Sequence, residues 1–323
     1  MEAYTDRPYD RAISIPVLPT PAYKKALLCR TTRAPRPRTM LRTALRSSIP
    51  HHRLSSPPIQ TPLRALSTHV TAATTTMQPL KYYGAGTPNG HKVSIMLEEL
   101  KVLNPDFKYE TIPIDIMKNT QKEDWFLRIN PNGRIPALVD PNNDDFAVFE
   151  SMAILLYLEK KYDDNHAFSW PSSDPKGENY RSEVLQWMSW QMAGLGPLQG
   201  QANHFRMQAV GESKNLVPYA YKRYHDETVR LYSVLESRLE GRDWLVGDGK
   251  GKYTLADMLT FPWAFWYRFA GLRNDEVGPN VKRWIQNNLD RPAVQKGLRV
   301  PTESELVKNM LSDPEWMPEL PSL

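Results

Sequence analysis

The chain has 323 residues, with 41 Lys/Arg against 36 Asp/Glu, a formal charge of +5 and a single cysteine, Cys29. That length supports two ordinary domains with a sizeable core, and one cysteine excludes an extracellular disulfide framework and fits a reducing compartment. No apolar run of about 18 residues occurs, so no membrane-spanning helix is expected.

The charge is unevenly spread. Residues 1–79 hold 12 basic and 3 acidic side chains, which leaves 29 basic and 33 acidic for residues 80–323. The body is mildly acidic, and nucleic-acid binding by it is disfavoured. From Arg11 to Pro79 there is no acidic residue, and MLRTALRSSIPHHRLSSPPIQTPLRALSTHV, from Met40, is rich in Arg, Ser, Thr and Pro. That is the composition of a mitochondrial transit peptide, with a short basic amphipathic helix from Met40 to Arg46 and a processing-like RALST around Ser67. The other reading is a disordered tail, or translated sequence ahead of a start at Met40 or Met77. Residues 1–79 are therefore expected to be a disordered basic leader. The expected location is mitochondrial if the leader is a transit peptide and cytoplasmic otherwise.

The body opens with a short strand, LKYY from Leu80, then the turn Thr87-Pro88-Asn89-Gly90 and an amphipathic helix. Val93, Met96, Leu97 and Leu100 form the apolar face of that helix, and Lys92, Glu98, Glu99 and Lys101 form the other. FKYETIPID, Phe107 to Asp115, reads as a second strand parallel to the first. NTQKEDWFLRIN is a short irregular helix. PNGRIPALVD and DDFAVFE are two strands joined by a turn at Pro141-Asn142-Asn143-Asp144. ESMAILLYLEKKY is a helix that buries Ile154, Leu155, Tyr157 and Leu158. The order βαβ then ββα implies a small two-layer α/β sandwich over 80–162. The polar stretch 163–177, DDNHAFSWPSSDPKG, is expected to link it to a helical region. That region runs over 178–302, with a break at Gly194-Leu195-Gly196-Pro197, a helix from about Pro218 to Leu239, and a capping box at Thr254-Leu255-Ala256-Asp257. Residues 303–323 are expected to be a tail, loose from Pro314 to Leu323.

TPNGHKVSIMLEE, NPNGRIPALVD and FESMAILLYL in the first region, with WQMAGLGPLQGQANHF, VPYAYKRYHDETVRLYSVLESRL and YTLADM in the second, resemble the glutathione transferases. GLGPLQGQANHF is similar to the nu-class and to the related fungal nitrogen-regulator branch. The resemblance spans about residues 80–300. It implies a thioredoxin-like N-terminal domain followed by an all-α C-terminal domain, a homodimer, and glutathione as co-substrate without a metal. It also implies a cis Ile135–Pro136 bond whose Ile135 main chain pairs with the cysteinyl part of glutathione. Taken by themselves, these two residues also fit a strand opened by proline.

Glu150-Ser151 lies where strand meets helix, and serves equally as a helix cap or as a receptor for the carboxylate and ammonium of a γ-glutamyl group. The resemblance favours the receptor, and it implies ligand contacts for Gln121 and Arg223. As a bare sequence feature, Arg223 reads as a solvated helix charge.

The opening turn suits an anion, because unpaired N–H groups and the positive end of the dipole gather at a helix start. The resemblance identifies that anion as the glutathione sulfur. Lowering a thiol pKa from about 8.5 by about two units needs roughly 2.7 kcal/mol. A helix dipole gives about 0.3–1 kcal/mol, and a hydrogen bond to a charged group about 1.5–3 kcal/mol, so donors are required. Thr87 and Asn89 are the neutral donors present, in place of the Tyr or Ser of many relatives. With no cysteine in the turn, disulfide chemistry would run on glutathione itself.

The expected acceptor is a small apolar electrophile or a disulfide, met by residues such as Trp187, Met188, Trp190, Met192 or Phe205; aromatics and Met at that spacing also fit a core. Two rivals stand beside this reading. A dinucleotide site is disfavoured, since Gly84-Ala85-Gly86 is followed by Gly90 one position too late for G-x-G-x-x-G. A non-catalytic glutathione-binding regulatory protein is the alternative function.

Overall fold

The computed structural model describes residues 77–210 and 217–313. The leader up to residue 76, with Cys29, Met40 and Ser67, lies outside the described residues, as does 314–323. The first elements are β1 (Leu80–Gly84), α1 (Pro88–Leu103), β2 (Tyr109–Pro113), α2 (Asp124–Leu127), β3 (Ala137–Asp140), β4 (Phe146–Phe149) and α3 (Ser151–Tyr162). The sheet order is β2-β1-β3-β4. β1 runs parallel to β2, pairing Tyr82 with Thr111, and antiparallel to β3, pairing Tyr82 with Leu138. The turn between β3 and β4 is a 3-10 turn, Pro141–Asn143, and Asp144 and Asp145 follow it at positive φ.

The helical region contains α4 (Gly177–Trp190), α5 (Gly196–Val210), α6 (Pro218–Arg238), α7 (Leu255–Phe265), α8 (Pro279–Leu289), α9 (Pro292–Gly297) and α10 (Glu305–Ser312). α4 and α5 are not separated by a break. A π turn, Gln191–Leu195, joins them, and the Gly196 N–H bonds the Gln191 carbonyl five residues back. This widened turn moves the hydrogen-bond ladder along by one residue, so that Pro197, which has no N–H, is accommodated without ending the helix. α10 lies within the expected tail, ahead of the stretch from Pro314. It is capped by Ser304, which accepts from the Val307 N–H, and it buries Val307.

The capping box forms as its spacing predicts: Thr254 Oγ1 accepts from Ala256 N, and Asp257 Oδ2 accepts from Thr254 N at 3.0 Å. Asp257 also accepts from Leu245 N and from Trp284 Nε1, which ties α7 to α8.

α1 departs from the amphipathic expectation. Val93, Met96, Leu97 and Leu100 are buried, but so are Lys92, Glu98 and Glu99. α1 packs against α3 on one side and against α7 and α9 on others, so no side is left for solvent along most of its length. Each charge then needs a partner. Lys92 Nζ donates to Gln191 Oε1 at 2.7 Å, Glu98 accepts from Tyr109 Oη and Lys101 Nζ, and Glu99 receives both arms of Arg291 at 2.7 and 2.8 Å. α9 lies directly on α1: a Cβ at Gly297 would sit 2.6 Å from Ile95 Cα, and Ser94 Oγ donates to the Gly297 carbonyl at 2.7 Å.

Candidate functional site

The ends of several elements converge on a cavity of about 730 Å³. Its wall includes Thr87 and Asn89 from the start of α1, Gln121 from a 3-10 turn, Ile135 and Pro136 ahead of β3, and Glu150 and Ser151 at the start of α3. All seven are candidates named from sequence. Met192, Pro197 and Trp263 close it from the helical side. The volume lies in the usual range for small-molecule sites.

The start of α1 is shaped by its own residues. Thr87 is extended, and its Oγ1 accepts from Gly90 N at 3.2 Å. That bond uses an oxygen lone pair and leaves the hydroxyl hydrogen free to donate. Pro88 fills the first helical position, where a missing N–H costs nothing. Gly90 is required by close approach, since a Cβ there would lie 2.2 Å from the Ala85 carbonyl oxygen. Beneath it, buried Tyr82 donates from Oη to the Gly90 carbonyl at 2.9 Å.

Asn89 is fixed by a residue far along the chain: Trp263 Nε1 donates to Asn89 Oδ1 at 2.9 Å. An indole N–H only donates, so the amide oxygen must face it, and the amide nitrogen is the end left free.

The Ile135–Pro136 bond is cis. Among the described residues neither the N–H nor the C=O of Ile135 meets a hydrogen-bond partner. Asn130 Nδ2 donates to the neighbouring Arg134 carbonyl at 2.6 Å and holds this loop in place. Gln121 is buried and its Oε1 has no partner, while its Nε2 makes only long contacts to Ile116 O and Asn119 Oδ1 at 3.4 and 3.5 Å. A buried acceptor without a donor is costly.

Glu150 adopts φ +69°, ψ 118°, outside the conformations an L-residue prefers, and its side chain makes no cap bond to α3. Such strain clusters at functional sites. It leaves the Glu150 carboxylate exposed at the cavity, with Ser151 buried beside it at the first position of α3. Ser151 Oγ lies 3.7 Å from Met192 Sδ. The first N–H groups of α3 are open to an anion, since no acidic side chain lies in its first turn.

A second hollow of about 330 Å³ adjoins, sharing Asn89, Met192, Pro197 and Trp263 with the first and adding Lys92, Gln191, Gly196, Gly200 and Gln201. Desolvation by burial pulls the Lys92 ammonium down to about 7, against the opposing charge of Glu150. Of the apolar candidates only Met192 lines these two hollows. Met188 is core, Trp187 packs edge-on to Trp190, and Phe205 stacks on Tyr224.

Arg223 is not brought to the cavity. α6 buries Thr228, Leu231, Tyr232 and Leu235, and Arg223 lies off that stripe, exposed, on a separate opening with Tyr219, Lys222 and Arg230. Trp263 is a wall residue that sequence reasoning missed, as are Ile116, Asn130 and Asn132. The Trp263 bond to Asn89 spans 174 positions, and no local pattern marks it. Among the described residues no cluster of His, Cys, Asp and Glu is arranged to hold a metal ion.

Comparison with known proteins agrees with this layout. Residues 78–160 match the family model for the glutathione S-transferase N-terminal domain, and 218–292 the model for the C-terminal domain. The disulfide-bond oxidoreductase YfcG of Escherichia coli K12 is 40% identical over 222 residues, which cover 67% of this chain and 93% of that protein. Protein URE2 of Saccharomyces bayanus is 33% identical over 260 residues, covering 69% of this chain and 71% of that one. A crystal structure of a glutathione transferase homolog from Lodderomyces elongisporus, with two GSH per subunit, superposes with a TM-score of 0.60 at 39% identity. It covers 70% of this chain and 100% of that one.

Proposed function

The chain belongs to the glutathione S-transferase family, and on that premise we propose that it binds glutathione in the 730 Å³ cavity and uses the bound sulfur, as thiolate, to attack disulfides or carbon electrophiles. The observation that carries this reading is the convergence, on one wall, of two neutral donors at the start of α1 with an unpartnered Ile135 main chain and the Glu150–Ser151 corner.

The residues fit the tripeptide end to end. Ser151 and the open N–H groups of α3 receive the γ-glutamyl carboxylate, and the Glu150 carboxylate its ammonium. The Ile135 N–H and C=O pair with the cysteinyl backbone. Gln121, on the same wall, contacts the tripeptide. The sulfur meets the Thr87 hydroxyl and the Asn89 amide.

Disulfide reduction is the favoured reaction. YfcG carries a disulfide-bond oxidoreductase name, and no cysteine lies among residues 77–313 to form a mixed disulfide with the protein. The first thiolate attacks the substrate disulfide. An S–S bond forms to glutathione, the old S–S bond breaks, and the departing thiolate takes a proton from water. A second glutathione thiolate then attacks the mixed disulfide, releasing glutathione disulfide and the second substrate thiol, so the two glutathiones supply both electrons.

A homodimer is part of the proposal. Edge strand β4 leaves Phe146 and Phe149 exposed, which supports a partner on that side. A purely binding, regulatory role is the second reading. Calorimetric titration with glutathione, followed by steady-state rates with a mixed disulfide and separately with an aryl halide, tests these readings. We expect binding and disulfide turnover; binding without turnover on either substrate would favour the regulatory role.

A further inference from the structure

We propose that Trp263 is a positioning residue for the thiolate: its indole N–H locks the Asn89 amide so that the Nδ2 hydrogens, not Oδ1, face the cavity. This rests on the glutathione reading above. A terminal amide is nearly two-fold symmetric in shape, and left to itself it can present either end. The carbonyl end repels an anion, whereas the NH2 end stabilises it. A donor-only group 2.9 Å from Oδ1 removes that freedom, and by polarising the amide it also strengthens the opposite N–H as a donor.

The geometry behind the indole is built to hold it still. The Trp263 carbonyl accepts from Gln199 Nε2 at 2.8 Å, Gln199 Oε1 in turn accepts from Tyr232 Oη at 3.1 Å, and both of those side chains are buried. The ring lies against α5 at Gly200, where a Cβ would come to 3.3 Å from Trp263 Cη2, and it stays in ordinary contact range of Gly196, whose tight neighbour is Gln191 Nε2 at 2.7 Å from an added Cβ. The GLGPLQG segment thus has a function beyond continuing a helix. Its π turn carries the chain past Pro197, its Gly200 seats the indole, and its Gln199 fixes the tryptophan backbone. The chain of support runs from α5 to Trp263 to Asn89 to the sulfur.

The test uses the full chain loaded with glutathione, following thiolate absorbance against pH. Trp263→Phe keeps a ring but loses the donor. We expect the apparent pKa of the bound thiol to rise by about one unit, a tenfold loss of thiolate at a fixed pH below it, with the glutathione dissociation constant changed less than about threefold. In an Asn89→Ala background the same substitution is expected to leave the pKa unmoved, because the two residues act in series. Benzothienylalanine at position 263 replaces the N–H by sulfur at nearly constant shape, and it repeats the measurement if Trp263→Phe does not fold. An unshifted pKa in the folded variant, or a full shift that persists without Asn89, overturns the positioning role. Failure of the unaltered protein to bind glutathione would instead overturn the functional reading on which it rests.

Discussion

Lys92→Met removes a cation that the fold holds at a cost, and the size of that cost can be worked out. Lys92 is fully buried in α1, donating to Gln191 Oε1 and lying 3.4 Å from Met192 Sδ, and burial lowers its pKa from 10.5 to about 7. A shift of that size corresponds to roughly 5 kcal/mol against the charged form, at about 1.4 kcal/mol per unit. The unfolded chain therefore holds a proton between pH 7 and 10.5 that the folded chain gives up. Unfolding takes up a proton in that window, so raising the pH stabilises the fold, and the contribution is lost as pH falls toward 7. Methionine has a similar length and no charge, and comparison with it cancels the other titrating groups. From pH 7 to 9 the wild type should gain about 2 kcal/mol on Lys92→Met, or roughly 4–8 °C in relative melting temperature. Thermal melts of both proteins, free of glutathione, at pH 7, 8 and 9 measure this. A gap between the two melting temperatures that stays constant across the range would refute the reasoning.

Three further outcomes are expected. Asn89→Ala should lower turnover more than it weakens glutathione binding, because a hydrogen bond to a charged sulfur is worth about 1.5–3 kcal/mol; steady-state kinetics with unchanged kcat would count against it. Ser151→Ala should chiefly raise the glutathione dissociation constant, by about 5- to 30-fold for the loss of about 1–2 kcal/mol, and an unaltered constant in calorimetry would contradict that role. Arg291→Met strands the buried Glu99 carboxylate and should cost about 3–5 kcal/mol, much of it recovered in Glu99→Leu/Arg291→Met; melting points of the single variant close to wild type would show the pair to be dispensable.

Much of the site was readable because its residues stand at element boundaries, where turn chemistry is local. Thr87, Pro88 and Gly90 announce a helix start, Pro136 a strand start and Glu150–Ser151 a strand-to-helix corner, and the structure brings all three boundaries to one cavity. What periodicity could not show is what covers the second side of a helix. The charged face of α1 reads as solvated, yet its partners Gln191 and Arg291 come from about 100 and 190 residues further on. Trp263 is hidden for the same reason. The π turn escaped because Gly-Leu-Gly-Pro reads as a breaker, while a one-residue slip in the hydrogen-bond ladder absorbs it. Arg223 shows the opposite failure: a motif match identified the residue, and the packing of α6 turned it elsewhere.

The sulfur's position is the heart of the account, and a crystal structure of the protein grown with glutathione measures it directly. The sulfur should lie within hydrogen-bonding distance of both Thr87 Oγ1 and Asn89 Nδ2, with the γ-glutamyl end at Ser151. A tripeptide bound in this cavity with its sulfur turned away from the start of α1 would contradict it.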